Sequence, residues 1–231
     1  MSASNARDRL SRLPIFAGAP PAALATLAER LSTESYPKGT VLFHQGDPGD
    51  SVLVLETGAI KVSNLSPDGR EVVMALLGPG EMLGELSIFD SGVRTADATA
   101  IEDTTALVLS HDVFRPFLEE HPAVAIHLLE VLAVRLRETN EALQDAIFSD
   151  VPGRLAKRFV DLAERYGVAD GDGEDTLIDL ALTQEQLAQM VGAARESVNK
   201  AVASFVSRGW VAMRGRKYVV TDRASLIRRA S

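Results

Sequence analysis

The sequence predicts an α+β chain in three parts: a β-rich N-terminal domain of sandwich or small-barrel type, one long helix, and a C-terminal domain of packed helices with a short β-hairpin. Three observations predict it. From about Ser35 to Leu109, short apolar runs (Val52–Leu55, Ile60–Ser63, Val72–Leu76, Ala106–Leu109) alternate with glycines from Gly39 to Gly92. That is the texture of many short strands joined by turns. From Pro122 to about Phe148 the apolar period becomes helical. Beyond a break at Ser149-Asp150-Val151-Pro152, helical periods resume and a basic hairpin follows them.

Ahead of the strands, Pro21 to Leu31 reads as a short helix, with Leu24, Leu27, Ala28 and Leu31 on one face. Pro67-Asp68-Gly69 suits a tight reversal. The long helix would run about 40 Å at ~1.5 Å per residue, and Pro122 is tolerated in its first turn. Leu129, Leu132, Leu136, Thr139, Leu143 and Ala146 alternate at spacings of three and four. This is a heptad-like seam for a parallel helix pair; the competing reading is an ordinary helix packed on its own domain. Asp150 can cap the next helix, with Pro152 in its first turn. That helix spans Arg154 to Tyr166 on Leu155, Phe159, Leu162 and Ala163, and Gly167 suits its C-terminus. Val168 to Thr176, rich in Asp and Gly, reads as a solvated loop. The expected segments are 1–120, 121–149 and 150–231.

Hydrophobic residues make up 46% of the 231, enough for a full core. No apolar run reaches the roughly 18 residues of a membrane span. The polar opening MSASNARDRLSRL lacks a signal-peptide core, so the expected location is cytoplasmic. Cysteine is absent, which excludes disulfides, thiolate zinc sites and Cys-ligated iron–sulfur clusters. The net charge is −8, yet from Thr183 onward nine Lys/Arg face three acids, so that segment carries +6 and the remainder −14. A basic end on an acidic body fits a DNA-reading module attached to something else; a solvated basic face would look the same by charge alone. No G-x-S-x-G, H-E-x-x-H or phosphate-loop motif is present. His44, His111, His121 and His127 do not cluster with carboxylates at metal spacing. Neither an enzyme nor a metal protein is expected.

Thr183-Gln184-Glu185-Gln186 matches a capping box. A short helix follows through Met190, then Gly192, which takes a left-handed turn without strain. A second helix runs from about Arg195 to Ser207, with Val198, Ala201, Val202 and Phe205 as its buried stripe. Arg195, Glu196, Asn199 and Lys200 lie opposite that stripe. This arrangement is a helix-turn-helix. Arg can bond two acceptors on guanine, Glu accepts from the cytosine amine, and Lys or Asn add base or phosphate contacts; Thr183 and Ser197 complete the candidate set. After Gly209, Trp210–Met213 and Tyr218–Val220 flank the basic turn Arg214-Gly215-Arg216-Lys217. That makes a wing, with Arg214, Arg216 and Lys217 suited to phosphates. The competing reading is a plain helix pair with exposed charge.

Gly84 opens the segment GELSIFDSGVRTA. A phosphate pocket needs backbone amides and a cation in a small shell. Gly84 admits close backbone approach, Arg94 can grip a phosphate through two donors, Thr95 adds a hydroxyl, and Glu85 can accept from a ribose 2′-hydroxyl. A surface loop with an Arg–Glu ion pair would share this spacing.

The stretch LTQEQLAQMVGAARESVNKAVASFVSRGWV closely resembles the DNA-binding motif of Crp/Fnr transcription regulators. FSDVPGRLAKRF resembles the hinge of their actinobacterial cyclic-AMP-receptor branch, and GELSIFDSGVRTA resembles the phosphate-binding cassette of cyclic-nucleotide-binding domains. The likeness runs from about Pro14 to Asp222. It implies a cyclic-nucleotide-binding β-roll (a jelly-roll-like barrel), a dimerisation helix and a winged helix-turn-helix. It implies that Arg195, Glu196 and Lys200 contact bases, and that Gly84, Glu85, Leu86, Arg94 and Thr95 hold ribose and cyclic phosphate. Thr139-Asn140 resembles the pair that meets the adenine; a polar residue that sets helix register is the other reading of Thr139. The implied effector is cAMP and the implied partners are a pseudo-palindromic DNA operator, a second copy of the chain and RNA polymerase, with no membrane and no metal. A regulator of the same fold that binds cyclic-di-GMP, or no ligand, is the alternative. Ala194 departs from the family, whose members usually carry a helix-capping Ser there.

Overall fold

The computed structural model describes residues 3–66, 69–90, 92–170 and 175–230. The chain divides into two compact units, Met1–Leu136 and Arg137–Ser231, and the division falls within one continuous helix.

The first unit opens with α1 (Ala3–Leu10), a 3-10 turn at Pro14–Phe16 and α2 (Pro21–Ala28). Eight strands follow: β1 (Ser32–Tyr36), β2 (Val41–Phe43), β3 (Ser51–Thr57), β4 (Ile60–Leu65), β5 (Glu71–Leu77), β6 (Met82–Leu83), β7 (Asp97–Ala100) and β8 (Thr104–Ser110). A single helical turn, α3 (Leu86–Phe89), sits between β6 and β7, and α4 (His111–Glu120) follows β8. The strands form two antiparallel sheets of four, ordered β1-β8-β3-β6 and β2-β7-β4-β5. Each keeps its own edges, so the β domain is an open pair of sheets and not the closed barrel that the sequence left open. The expected tight turn at Pro67-Asp68 lies outside the described residues.

Strand β3 shows why the apolar runs are continuous. Val52 and Val54 pack with Leu107 and Leu109 of β8 against the helices, beside Leu10, Phe16, Phe114 and Leu128. The alternate residues Leu53 and Leu55 point the other way, onto Ile60, Leu77, Ala98 and Ala100. A strand buried on both faces carries no polar alternation. The outer face of β4–β5 stays solvated, with Leu65, Val72 and Met74 exposed.

Helix α5 spans Pro122–Phe148. Val124 and Leu128 are buried in the first unit's core and Leu132 packs partly against it. The exposed large apolar side chains are Ile126, Leu129, Val134, Leu136, Leu143, Ile147 and Phe148. Leu129, Leu136 and Leu143 keep the predicted seven-residue series exposed; of its expected companions, Thr139 and Ala146 are exposed while Leu132 packs partly against its own domain. Ile126, Ala133, Asn140 and Ile147 form a second exposed series beside it.

The second unit contains α6 (Val151–Tyr166), β9 (Gly167–Ala169), β10 (Thr176–Ile178), α7 (Gln184–Val191), α8 (Arg195–Ser207), β11 (Val211–Arg214), β12 (Lys217–Val220) and α9 (Arg223–Ala230). Asp150 caps α6 by accepting from the Gly153 N–H at 2.9 Å, as its place before Pro152 predicts. Gly167 does not end α6 in the left-handed conformation; its backbone is extended at φ −78°. A Cβ there would lie 2.0 Å from the Ala163 carbonyl oxygen, so glycine serves close packing. The two ends of the expected solvated loop pair instead as β9 and β10; residues 171–174 lie outside the described residues. The four strands order β11-β12-β10-β9. Phe159 packs edge-on to Tyr218 at 5.2 Å and to Phe205 at 6.3 Å, joining α6, the hairpin and α8.

Candidate ligand pocket and nucleic-acid interface

The helix-turn-helix is built by local rules. Thr183 accepts from the Gln186 N–H at 3.1 Å, and the Gln186 side chain accepts from the Thr183 N–H at 2.8 Å. Gly192 closes α7 in the left-handed conformation, φ 60° and ψ 46°. Helix α8 starts at Ala194, which makes no side-chain cap; a Ser there would typically contribute about 1 kcal/mol. The predicted stripe Val198, Ala201, Val202 and Phe205 is buried. Arg195, Glu196, Ser197 and Lys200 are exposed on the other side. Asn199 differs: it is half-buried, and its Oδ1 lies inside without a hydrogen-bond partner among the described residues. Arg154 ties this motif to the residues ahead of α6, donating to the Val191 carbonyl at 2.9 Å and the Ser149 carbonyl at 2.6 Å.

The wing is a two-residue turn. Arg214 pairs in register with Lys217, with Gly215 at φ 62°. Arg214 is ion-paired with Asp170 and Lys217 with Asp179. Arg216 has no ion-pair partner among the described residues.

In the first unit, the cassette residues surround a buried polar centre. Gly84 has φ +84°, and a Cβ on it would lie 2.3 Å from Arg94 Nη1 and 2.8 Å from the Ser51 carbonyl oxygen. Glycine is required here by conformation and by space. Arg94 is only 6% exposed. It donates to the Ser51 carbonyl at 2.8 Å and the Ser51 hydroxyl at 3.1 Å, and its guanidinium lies 4.3 Å from the Phe43 ring centroid. Its backbone is stitched to the facing loop by Arg94 N–H to Asp47 O and Gly46 N–H to Arg94 O, both 2.9 Å. Burial lowers its pKa, while the carboxylates of Asp50, Asp47 and Glu85 act to raise it. Burial and the Arg94 charge likewise hold neighbouring His111 below the usual histidine range. Leu86 and Thr95 are exposed.

Glu85 does not pair with Arg94, as a plain surface loop would have it. It is 4% exposed and accepts from Arg135 at 2.7 Å, while Arg135 also donates to the Met82 carbonyl at 2.5 Å. Arg135 was missed in the sequence because it stands 50 residues further along, on α5. Two buried atoms of the cassette have no hydrogen-bond partner among the described residues: Glu85 Oε2, an acceptor, and Arg94 Nε, a donor. Thr139 and Asn140 belong to the second unit, where both are exposed. A cavity of about 350 Å³ adjoins Arg94, lined by Glu34, Tyr36, Asp47 and Asp50 among others. Its carboxylates disfavour an anion in this space. Among the described residues no His/Asp/Glu group is placed to hold a metal ion, and no helix is long and apolar enough to cross a membrane.

Residues 33–121 match the family profile of the cyclic nucleotide-binding domain, and residues 153–229 match that of the Crp-like helix-turn-helix domain. A CRP-like cAMP-activated global transcriptional regulator of Mycobacterium tuberculosis is 44% identical over 221 residues, covering 96% of this chain and 98% of the relative. The cyclic AMP receptor protein of Thermus thermophilus is 31% identical over 198 residues, covering 86% of this chain and 88% of the relative. Among solved structures, FixK2 from Bradyrhizobium japonicum shares the fold at a TM-score of 0.76 and 22% identity, covering 87% of this chain and 98% of its own. A 44% identity to the mycobacterial regulator over nearly the whole chain, with both domain profiles in their expected order, places this chain in the Crp/Fnr family of DNA-binding transcription regulators.

Proposed function

We propose that the chain is a homodimeric, cytoplasmic transcription regulator whose affinity for a pseudo-palindromic operator is set by cAMP and which acts through RNA polymerase. Residues 1–120 are the sensor, 121–149 the dimerisation helix and 150–231 the DNA-binding domain; none is assigned a catalytic step. The observation that carries the cAMP reading is the pair of buried orphans. Unpartnered buried polar atoms are costly. Glu85 Oε2 and Arg94 Nε are the acceptor and donor that a ribose hydroxyl and a cyclic phosphate would satisfy. Gly84 and Leu86 flank the sugar–phosphate, Thr95 adds a hydroxyl to it, and Thr139 and Asn140 supply the contacts to the base. Arg195, Glu196, Ser197, Asn199 and Lys200 read the major groove, while Thr183, Arg214, Arg216 and Lys217 meet phosphates.

Calorimetric titration with cAMP, cGMP and cyclic-di-GMP tests the sensor. Binding of cAMP is expected, with a rise in operator affinity corresponding to a coupling of about 1–3 kcal/mol. Binding of cyclic-di-GMP alone, or cAMP binding with unchanged operator affinity, would overturn it. On the DNA side, Arg195→Ala should cost roughly 1–3 kcal/mol and relax preference at one symmetric base position. Arg216→Ala should weaken all sequences alike and lower the salt slope by about two for a dimer. Equal, sequence-independent losses in both variants would contradict the assignment.

A further inference from the structure

We infer that Asp170 and Asp179 are wing-restraining residues that hold two of the three wing cations away from phosphate and thereby limit sequence-independent DNA affinity; this rests on the DNA-binding reading above. The pairing follows from sheet register. Thr176 stands opposite Val220 and Leu177 opposite Val219, so Asp179, two residues beyond Leu177, falls opposite Lys217, with which it is ion-paired. Arg214, across the turn from Lys217, is ion-paired with Asp170 just after β9.

In both pairs the acid belongs to the framework. The Asp170 N–H donates to the Asp175 carbonyl at 3.0 Å, and the Asp179 N–H to the Tyr166 carbonyl at 2.7 Å. The Asp170 side chain is sheltered whereas that of Arg214 is mostly exposed. The backbones of both acids are thus held in place, and the Asp170 carboxylate is the sheltered member of its pair, whereas Asp179 is somewhat more exposed than Lys217. Arg216, at the tip, is left to approach phosphate unopposed by any ion pair among the described residues.

Surface ion pairs are weak, so a DNA phosphate competes with each carboxylate without displacing it outright. Phosphate contacts add affinity to every sequence equally, and base contacts discriminate. Carboxylates that occupy Arg214 and Lys217 thus subtract non-specific affinity and leave the base contacts of α8 untouched.

The test uses the full chain and a random-sequence DNA duplex, with affinity measured by fluorescence anisotropy across a salt series. Asp179→Asn and Asp170→Asn should each tighten binding about two- to fivefold per protomer engaged. Each should steepen the log–log salt slope by about one unit per cation recruited. The double variant Asp179→Asn/Lys217→Gln should return to the wild-type slope or below it. The inference is overturned if the acid variants leave the slope unchanged, or if the double variant is as steep as Asp179→Asn, which would mean a general loss of negative charge. Asp179 is exposed, so its variant carries the test even if Asp170→Asn fails to fold. Failure of the DNA-binding reading looks different: wild type would not bind the duplex, and Arg216→Ala would change nothing.

Discussion

Arg94→Ala is expected to lose cAMP affinity by roughly 30- to 5000-fold, the about 2–5 kcal/mol that follows when one member of a buried, hydrogen-bonded charge pair is removed. The size follows from the site. Arg94 is nine-tenths buried with one donor unsatisfied, so a phosphate meets a charge already stripped of water, in its final place and backed by Phe43 and Ser51. Little ordering is left to be done on binding. The one-turn α3 is too short to supply much macrodipole, which leaves the guanidinium as the main anion partner. Operator affinity without nucleotide should match ligand-free wild type, because the helix-turn-helix does not depend on the cassette for its own packing. Calorimetry, and operator binding with and without cAMP, separate the two effects. Retention of full cAMP affinity would show that the pocket is elsewhere.

How much of this could be read in the sequence depends on how local each feature is. The helix-turn-helix was legible residue by residue, since a capping box, a left-handed glycine and a 3.6-period stripe act within one or two turns of chain. Strands β3 and β8 were legible as uninterrupted apolar runs because both their faces are covered. Strand β1 was not. Its residues Ser32–Tyr36 are polar and mostly exposed, and it exists because β8 offers a free edge, which is a tertiary cause. Helices α1 and α4 were missed as well. Helix α1 packs chiefly on α2, and α4, which contacts β3 and β8, carries Pro116 within its span, a residue that argues against a helix when propensity is the only guide. In the cassette, Gly84 and Arg94 were legible from chemistry. The pairing of Glu85 with Arg135 was not, because no sequence spacing links two residues on separate elements. Gly167 does end α6, as its position suggests, but the reason differs: helix-terminal and close-packed glycines look alike until the neighbouring Ala163 carbonyl is seen.

Leu143→Glu is expected to convert the dimer to a monomer and to lower operator affinity by two orders of magnitude or more, with no loss of stability in the isolated fold. Leu129 and Leu136 are each 62% exposed within the single chain, Leu143 61% and Ile147 64%. Such side chains contribute little to the monomer, so a polar replacement should cost it within about 0.5 kcal/mol. In a parallel pair they become the d-type series Leu129, Leu136 and Leu143 and the a-type series Ile126, Ala133, Asn140 and Ile147. Fully covering a Leu or Ile contributes about 1.5–3 kcal/mol, and two helices supply the set twice, enough to exceed the 4–15 kcal/mol cost of association. Leu143→Glu should therefore give monomers by light scattering. The consequence for DNA is geometric. A dimer presents two copies of α8 to successive major grooves about 34 Å apart, and a monomer retains one half-site. Leu143→Glu should footprint a single half-site, and only at high protein concentration. A wild-type chain that scatters as a monomer with and without cAMP and operator, or a Leu143→Glu variant that protects both half-sites at wild-type concentration, would show that the exposed face of α5 is not the dimer seam.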